Sequence, residues 1–285
     1  MRSAPWLLIV LAQISTAATK MVTTPHGLRD ASKVHLVPSG AEIHHVGDDE
    51  IHVFDSNGTL ILATKTDCGN PSTNIKTRAL ETGWVAYASW SNETAIEPIS
   101  YFNASWIVPS TPQKVDGQTL FLFNGLQPSK SSSTILQPVV QWGHSDAGGG
   151  HYWAAANWYS YGDIAFHTQL YRVGYQVVTG FMTRWEPADG YVYYRSSFLD
   201  LPGAGELTIR SHQNFYWAAI ALAAEHLSSV KNFPPAWTTF AHINLFAGER
   251  GYPDVKWSTY ASAVDGLRTV VNKQGSRDAE VTIVY

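Results

Sequence analysis

From Gly83 to Tyr285 the chain is a succession of short apolar and aromatic runs, broken by Gly, Pro, Ser and Asp at intervals of roughly 8–12 residues. WVAYASW (84–90), SYFNASWIVP (100–109), TLFLFNGL (119–126), STILQPVVQWG (133–143), HYWAAANWYS (151–160), DIAFHTQLYRV (163–173), QVVTGFMTRW (176–185), YVYYRSSF (191–198) and AEVTIVY (279–285) are the clearest. Runs of this length and spacing predict an antiparallel β-sandwich or barrel. No period of about 20–50 residues repeats. One segment resists. FYWAAIALAAEHL (215–227) is rich in Ala and Leu, which favour helix. Read as a strand, it puts Trp217, Ala219, Ala221, Ala223 and Glu225 on one face. Its residues alone leave both readings open.

Composition narrows the class. Charged residues are 15% of the 285, apolar residues 45%, and the isoelectric point is near 6.2. That apolar content excludes intrinsic disorder, and the charge balance gives no general phosphate-seeking field, so no nucleic-acid partner is expected. The N-terminus carries Arg2, the apolar run WLLIVLA (6–12) and small residues to Ala18. This is the pattern of a secretory signal peptide over residues 1–18, too short for a membrane anchor. Sequons at Asn57, Asn92 and Asn103 agree with a secreted, extracellular glycoprotein. The single cysteine, Cys68, lies in a polar, loop-like stretch, so the fold must rest on its core.

Residues 19–82 form a distinct N-terminal segment, read as a prosegment or accessory β-hairpin. Five of the 11 His fall there: His26, His35, His44, His45 and His52. EIHVFDSNGTLILA (50–63) reads as a hairpin turning at Asp55–Gly58, and GNPSTNIKTR (69–78) as a linker. His44, His45 and His52 match no closed zinc spacing; a pH-sensing role is the alternative. The main domain then spans 83–285.

No GxSxG elbow, HExxH helix or phosphate-binding GxxxxGK[ST] loop occurs. Gly148–Gly150 reads as a hairpin loop flanked by His144 and His151. Polar residues inside apolar runs are more telling. Period two puts Ile135, Gln137, Val139 and Gln141 on one face, and Pro138 predicts an edge or a bulge. Glu225 is the sole acid of its run: either a desolvated carboxylate suited to general acid/base work, or a residue that ends its element facing water.

The order of short motifs resembles the glutamic peptidases of fungi, the eqolisins, and more distantly the neprosin-type plant proteins. Trp90 is followed by Ala104-Ser105-Trp106-Ile107-Val108-Pro109-Ser110, LFLFNG (120–125), Ile135-Leu136-Gln137, Asn157-Trp158-Tyr159 and Leu222-Ala223-Ala224-Glu225. The resemblance implies an all-β, two-sheet, concanavalin A-like sandwich with a bent concave sheet, and a strand at 215–227. It implies Glu225 as general acid/base and Gln137 as oxyanion donor, with no metal or cofactor, in an enzyme made as a zymogen. Gln141, Asn124, Trp153, Asn157 and Tyr159 would then line a substrate cleft. The sequence departs from the family at Leu120, where the family has Trp, and at Asn124, where it has Asp. Trp153, Ala155 and Asn157 stand where the family places Asp, Trp and Glu. The implied cleft is more neutral and more aromatic. The expectation is a secreted acid endopeptidase-like hydrolase acting on polypeptide. The alternatives are a lectin-like glycan-binding sandwich, or a secreted enzyme acting on a small apolar molecule.

Overall fold

A computed structural model describes residues 20–47, 49–67, 83–92, 97–249 and 251–285. The expected leader at 1–18, Cys68, the expected linker at 69–78 and part of the Asn92 sequon lie outside the described residues. The N-terminal segment supplies β1 (Met21–Thr24), β2 (Gly27–Asp30), β3 (Val34–Leu36), β4 (Ala41–His45), β5 (Glu50–Phe54) and β6 (Leu60–Lys65). The remainder supplies β7 (Gly83–Ser91), β8 (Ile99–Ile107), β9 (Thr119–Gln127), β10 (Ile135–Ser145), β11 (Gly148–Tyr161), β12 (Ile164–His167), β13 (Tyr171–Arg172) and β14 (Val177–Trp185). It continues with β15 (Val192–Phe198), β16 (Glu206–Ser211), β17 (Trp217–Glu225), β18 (Trp237–Ala247), β19 (Ser258–Ala261), β20 (Arg268–Lys273) and β21 (Ala279–Val284). Helical structure among the described residues is confined to three single 3-10 turns, and no helix there is long and apolar enough to cross a membrane.

The strands build an all-β sandwich. Sheet I runs β19-β7-β17-β9-β10-β11-β12-β3, with β13 also on β11. Sheet II runs β20-β21-β18-β8-β14-β15-β16-β4-β5-β6. The main core lies between the sheets and takes Leu120, Leu122, Leu136, Val140, Ile220 and Leu222 from sheet I and Phe102, Trp106, Tyr194, Phe240 and Val281 from sheet II. The residues between those positions on sheet I form a second apolar cluster, on the face turned away from sheet II: Phe121, Phe123, Val139, Ala156, Trp158, Ala221 and Ala223. Sheet I is therefore apolar on both faces, which explains its near-continuous apolar strands.

That burial also resolves 215–227. Every residue of β17 is buried, and its alanines let β7 and β9 pair on either side with both faces covered. Tertiary pairing overrides helix propensity here. Pro138 sits in a central strand, not at an edge or bulge. The ladder to β9 simply has no paired positions at Gln137 and Pro138, between Leu136↔Leu126 and Val139↔Phe123. The 163–173 run splits into β12 and β13.

The N-terminal segment is woven into both sheets. β3 adds in parallel to β12 and β4 adds in parallel to β16. β5 and β6 form the expected hairpin, whose turn is held by the Asp55 carboxylate accepting from the Asn57 and Thr59 amides. Asn57 is exposed on that turn. Asn103, also expected to carry a glycan, is 7% exposed within β8, and its amide donates to the His242 carbonyl at 3.2 Å.

Candidate functional site

The outer face of sheet I can be laid out from its register. Along β17 it presents Ala219, Ala221, Ala223 and Glu225, paired in turn with Gly125, Phe123, Phe121 and Thr119 of β9. Phe121 and Phe123 pair with Gln141 and Val139 of β10. Gln137 lies opposite Trp158 of β11, and Val139 opposite Ala156. Gln137, Gln141 and Glu225 thus share one sheet and one face, as period two requires.

Sharing a face does not bring Gln137 and Glu225 together. Extending the β9–β10 register puts Gln137 level with Gly125 and hence with Ala219, six residues from Glu225 along β17. At about 3.3 Å per residue and two strand spacings of about 4.8 Å, their backbones are roughly 22 Å apart. One water cannot bridge that distance, so the expected dyad is not assembled. The β17 residue level with Gln137 is Ala219. The Gln137 amide is fully buried, and neither its Nε2 nor its Oε1 has a hydrogen-bond partner. Trp158 Nε1 and Ser160 Oγ, on the same face of the neighbouring strand, are also buried without partners.

Gln141 is the amide nearest Glu225 in register, two residues and two strands away. It is already committed. Its Nε2 donates to the Gly143 and Gly148 carbonyls at 2.9 and 3.0 Å, and its Oε1 accepts from the Ser145 hydroxyl at 2.8 Å. These bonds fasten the β10–β11 turn. Glu225 is 5% exposed at the end of β17, so the water-facing alternative for it does not hold.

The other cleft candidates point the opposite way, between the sheets. Asn124 donates to the Gly180 carbonyl of sheet II at 3.2 Å. Asn157 accepts from the Ser196 hydroxyl at 2.7 Å and donates to the Gly205 carbonyl at 2.8 Å. Tyr159 Oη meets His45 Nε2 at 2.8 Å. Trp153 packs on Trp142 with ring centroids 5.7 Å apart. The motif alignment fixed their order, but strand parity assigned them to the core. The outer face of β11 instead carries Ala154, Ala156, Trp158 and Ser160.

What covers the outer face is the chain itself. β1 and β2 pair as a hairpin, and Val22 packs on the outer cluster together with Trp84, Tyr87, Ala147 and Leu170. The contacts are largely to main chain. Trp84 Nε1 donates to the Pro25 carbonyl at 3.3 Å and the Asp146 amide to the Thr23 carbonyl at 3.3 Å. Thr23 Oγ1 meets His226 Nε2 at 3.2 Å, one residue beyond Glu225. Arg29 donates to the Gly162 carbonyl at 2.7 Å. His26 stands edge-on to Trp84, its ring Nδ1 buried without a partner. Desolvation, with a smaller contribution from the Arg29 charge, lowers its pKa to about 4. Sequence reasoning missed Trp84, Tyr87 and the 21–30 hairpin as parts of this face. The four-residue β-runs either side of Pro25-His26 were the available signal.

The other N-terminal histidines have local partners. His44 and His52 face each other across the β4–β5 ladder, bonded to Glu42 at 2.8 Å and Glu50 at 2.7 Å. Among the described residues no group of three or more His, Cys, Asp or Glu could hold a metal ion.

No family model and no curated protein matches the chain. Among solved structures it is similar to scytalido-glutamic peptidase bound to a peptide-based transition-state analogue. That match has 14% identity and a TM-score of 0.47, and covers 72% of this chain and 98% of that one. It is also similar to SCP-B, a member of the eqolisin family of peptidases, in complex with the tripeptide Ala-Ile-His. Identity there is 12% and the TM-score 0.45, with the same coverage. The structural neighbours are thus glutamic peptidases; at such identities no residue's role carries across from them.

Proposed function

We propose that the outer face of sheet I is a polypeptide-binding cleft, kept occupied by the chain's own N-terminal hairpin. The observation that carries this reading is the seating of Met21–Asp30 on an apolar floor, with its carbonyls received by Trp84 Nε1 and the Asp146 amide. Hydrogen bonds to main chain recognise any extended peptide, while apolar side chains supply the affinity. Residues 1–18 direct secretion in this reading, and 19–82 act as a prosegment whose hairpin leaves the face when the protein becomes competent.

A second reading is peptide hydrolysis. It is favoured by Glu225, a buried carboxylate on the same face beside the hairpin contact at His226. Glu225 would take a proton from the attacking water and return it to the leaving amine. The oxyanion would need a donor other than Gln137, because of the register.

A chain beginning at Lys33, checked for native β-structure by circular dichroism, tests the first reading against a synthetic peptide of residues 20–32. Saturable binding to the shortened chain, with none to the intact one, is expected. A folded shortened chain that ignores the peptide overturns the cleft assignment. Casein turnover from pH 2 to 7, present in the shortened chain and lost in Glu225→Gln, would establish the second reading.

A further inference from the structure

We propose a second binding site, for a uronate-bearing saccharide, in a cavity of about 520 Å³ apart from the outer face. It opens where the inward side of β10 and β11 meets the segment after β8 and the one after β13. Its walls are aromatic. Trp142 and Trp153 lie opposite each other in the β10–β11 ladder and face inward. Tyr152 and Tyr175 are the other aromatic residues of the lining, and Tyr175 is 79% exposed. A Tyr side chain held out in water beside a cavity is a flat platform with a polar tip.

The charge in the cavity is one-sided. Arg172 lies over the Tyr152 ring, 4.7 Å from its centroid, and His151 also lines the wall. No carboxylate does. Among the described residues Arg172 takes part in none of the ion pairs, so its forked guanidinium is free to receive an anion in bidentate fashion. Trp142 Nε1 is buried without a partner, and Trp153 Nε1 reaches the Ser110 carbonyl only at 3.4 Å. The Ser110 and Thr111 hydroxyls stand at the exposed rim.

A ligand matching these groups has a ring with apolar faces, a carboxylate at one edge and hydroxyls around the others. A hexuronate is such a ring: its C–H faces cover aromatic side chains and its hydroxyls meet the Ser110–Thr111 rim. The volume suits one or two sugar rings. A planar aromatic acid would satisfy Arg172 but offer no hydroxyls to the Ser110–Thr111 rim.

The test is calorimetric titration of the intact protein with trigalacturonate, cellotriose and benzoate, alongside Arg172→Ala, Tyr175→Ala and Arg277→Ala. Arg172 and Tyr175 are exposed side chains. Arg277 is a control, since it lies over the Tyr252 ring away from the cavity lining. Trigalacturonate is expected to bind saturably, at least tenfold more weakly in Arg172→Ala, severalfold more weakly in Tyr175→Ala, and unchanged in Arg277→Ala. Cellotriose is expected to bind at least tenfold more weakly than trigalacturonate. Absence of saturable trigalacturonate binding overturns the proposal, as does equal loss in Arg172→Ala and Arg277→Ala. Benzoate binding more tightly than trigalacturonate through Arg172 would overturn the saccharide assignment.

Discussion

Acid should loosen the hairpin that covers the outer face, and His26 sets the size of the effect. Its pKa is lowered from 6.5 to about 4 while the hairpin is seated, and returns toward the ordinary value when the hairpin lifts. A depressed histidine favours the seated state while neutral. The contribution is present in full above about pH 6.5, falls as the pH drops, and is exhausted below about pH 4. The full interval corresponds to about 3 kcal/mol. His26 keeps some exposure, which reduces the expected loss to about 2 kcal/mol, or roughly thirtyfold in the opening equilibrium. Hydrogen exchange of the 21–30 amides, corrected for intrinsic rates and followed from pH 7 to pH 4, reads this directly. His26→Leu should keep the hairpin seated and flatten the profile. An equally steep profile in His26→Leu, or a flat one in the parent, refutes the reasoning. Global stability must be tracked in parallel, because His45 titrates in the same window.

His45 is 6% exposed, packed on Tyr161 and bonded to Tyr159, and burial, with the charges of His212 and His44, lowers its pKa to about 4. Replacing it with Gln should remove about 3 kcal/mol of acid sensitivity from urea denaturation midpoints compared at pH 7 and pH 4. Gln137→Leu should leave stability unchanged or raise it by about 1–2 kcal/mol in urea, because it removes buried polar atoms that have no partners; a loss beyond about 2 kcal/mol would mean the amide is satisfied in solution. Gly143→Ala should cost about 3 kcal/mol or more, since Gly143 has φ +88° and a Cβ there would collide with the Gln118 carbonyl. Asn157→Ala should cost about 2 kcal/mol in thermal or urea unfolding by cutting the ties to Ser196 and Gly205.

The candidate site was partly legible in the sequence. Period two correctly put Gln137 and Gln141 on one face and Glu225 on one face of its own strand. It could not say how far apart those strands set their residues, because register is a property of pairing. Asn124, Asn157 and Tyr159 look like cleft residues when motifs are read in order. They are inter-sheet ties, because a shift of one residue in parity moves a side chain from the cleft to the core. Asn103 carries a valid sequon, yet its amide is tied to the His242 carbonyl and the residue is buried. Trp84 and the 21–30 hairpin carry no motif at all; their role comes from contacts between segments some sixty residues apart.

The sequence by itself determined an all-β chain of short antiparallel strands, including most of those from Gly83 onward, and the hairpin at Asp55–Gly58. These follow from local patterns of apolar residues and turn formers, and each is decided within about a dozen residues. The residues of 217–225 fit helix or strand, and the tertiary structure decided for the strand that the family resemblance implied; it alone decided that Ala219 lies level with Gln137 and that the chain's own N-terminal hairpin packs on the outer face. Those outcomes depend on which strands become neighbours and in what register. Burial between β7 and β9 outweighs the helix preference of an alanine-rich run, and no local pattern encodes it.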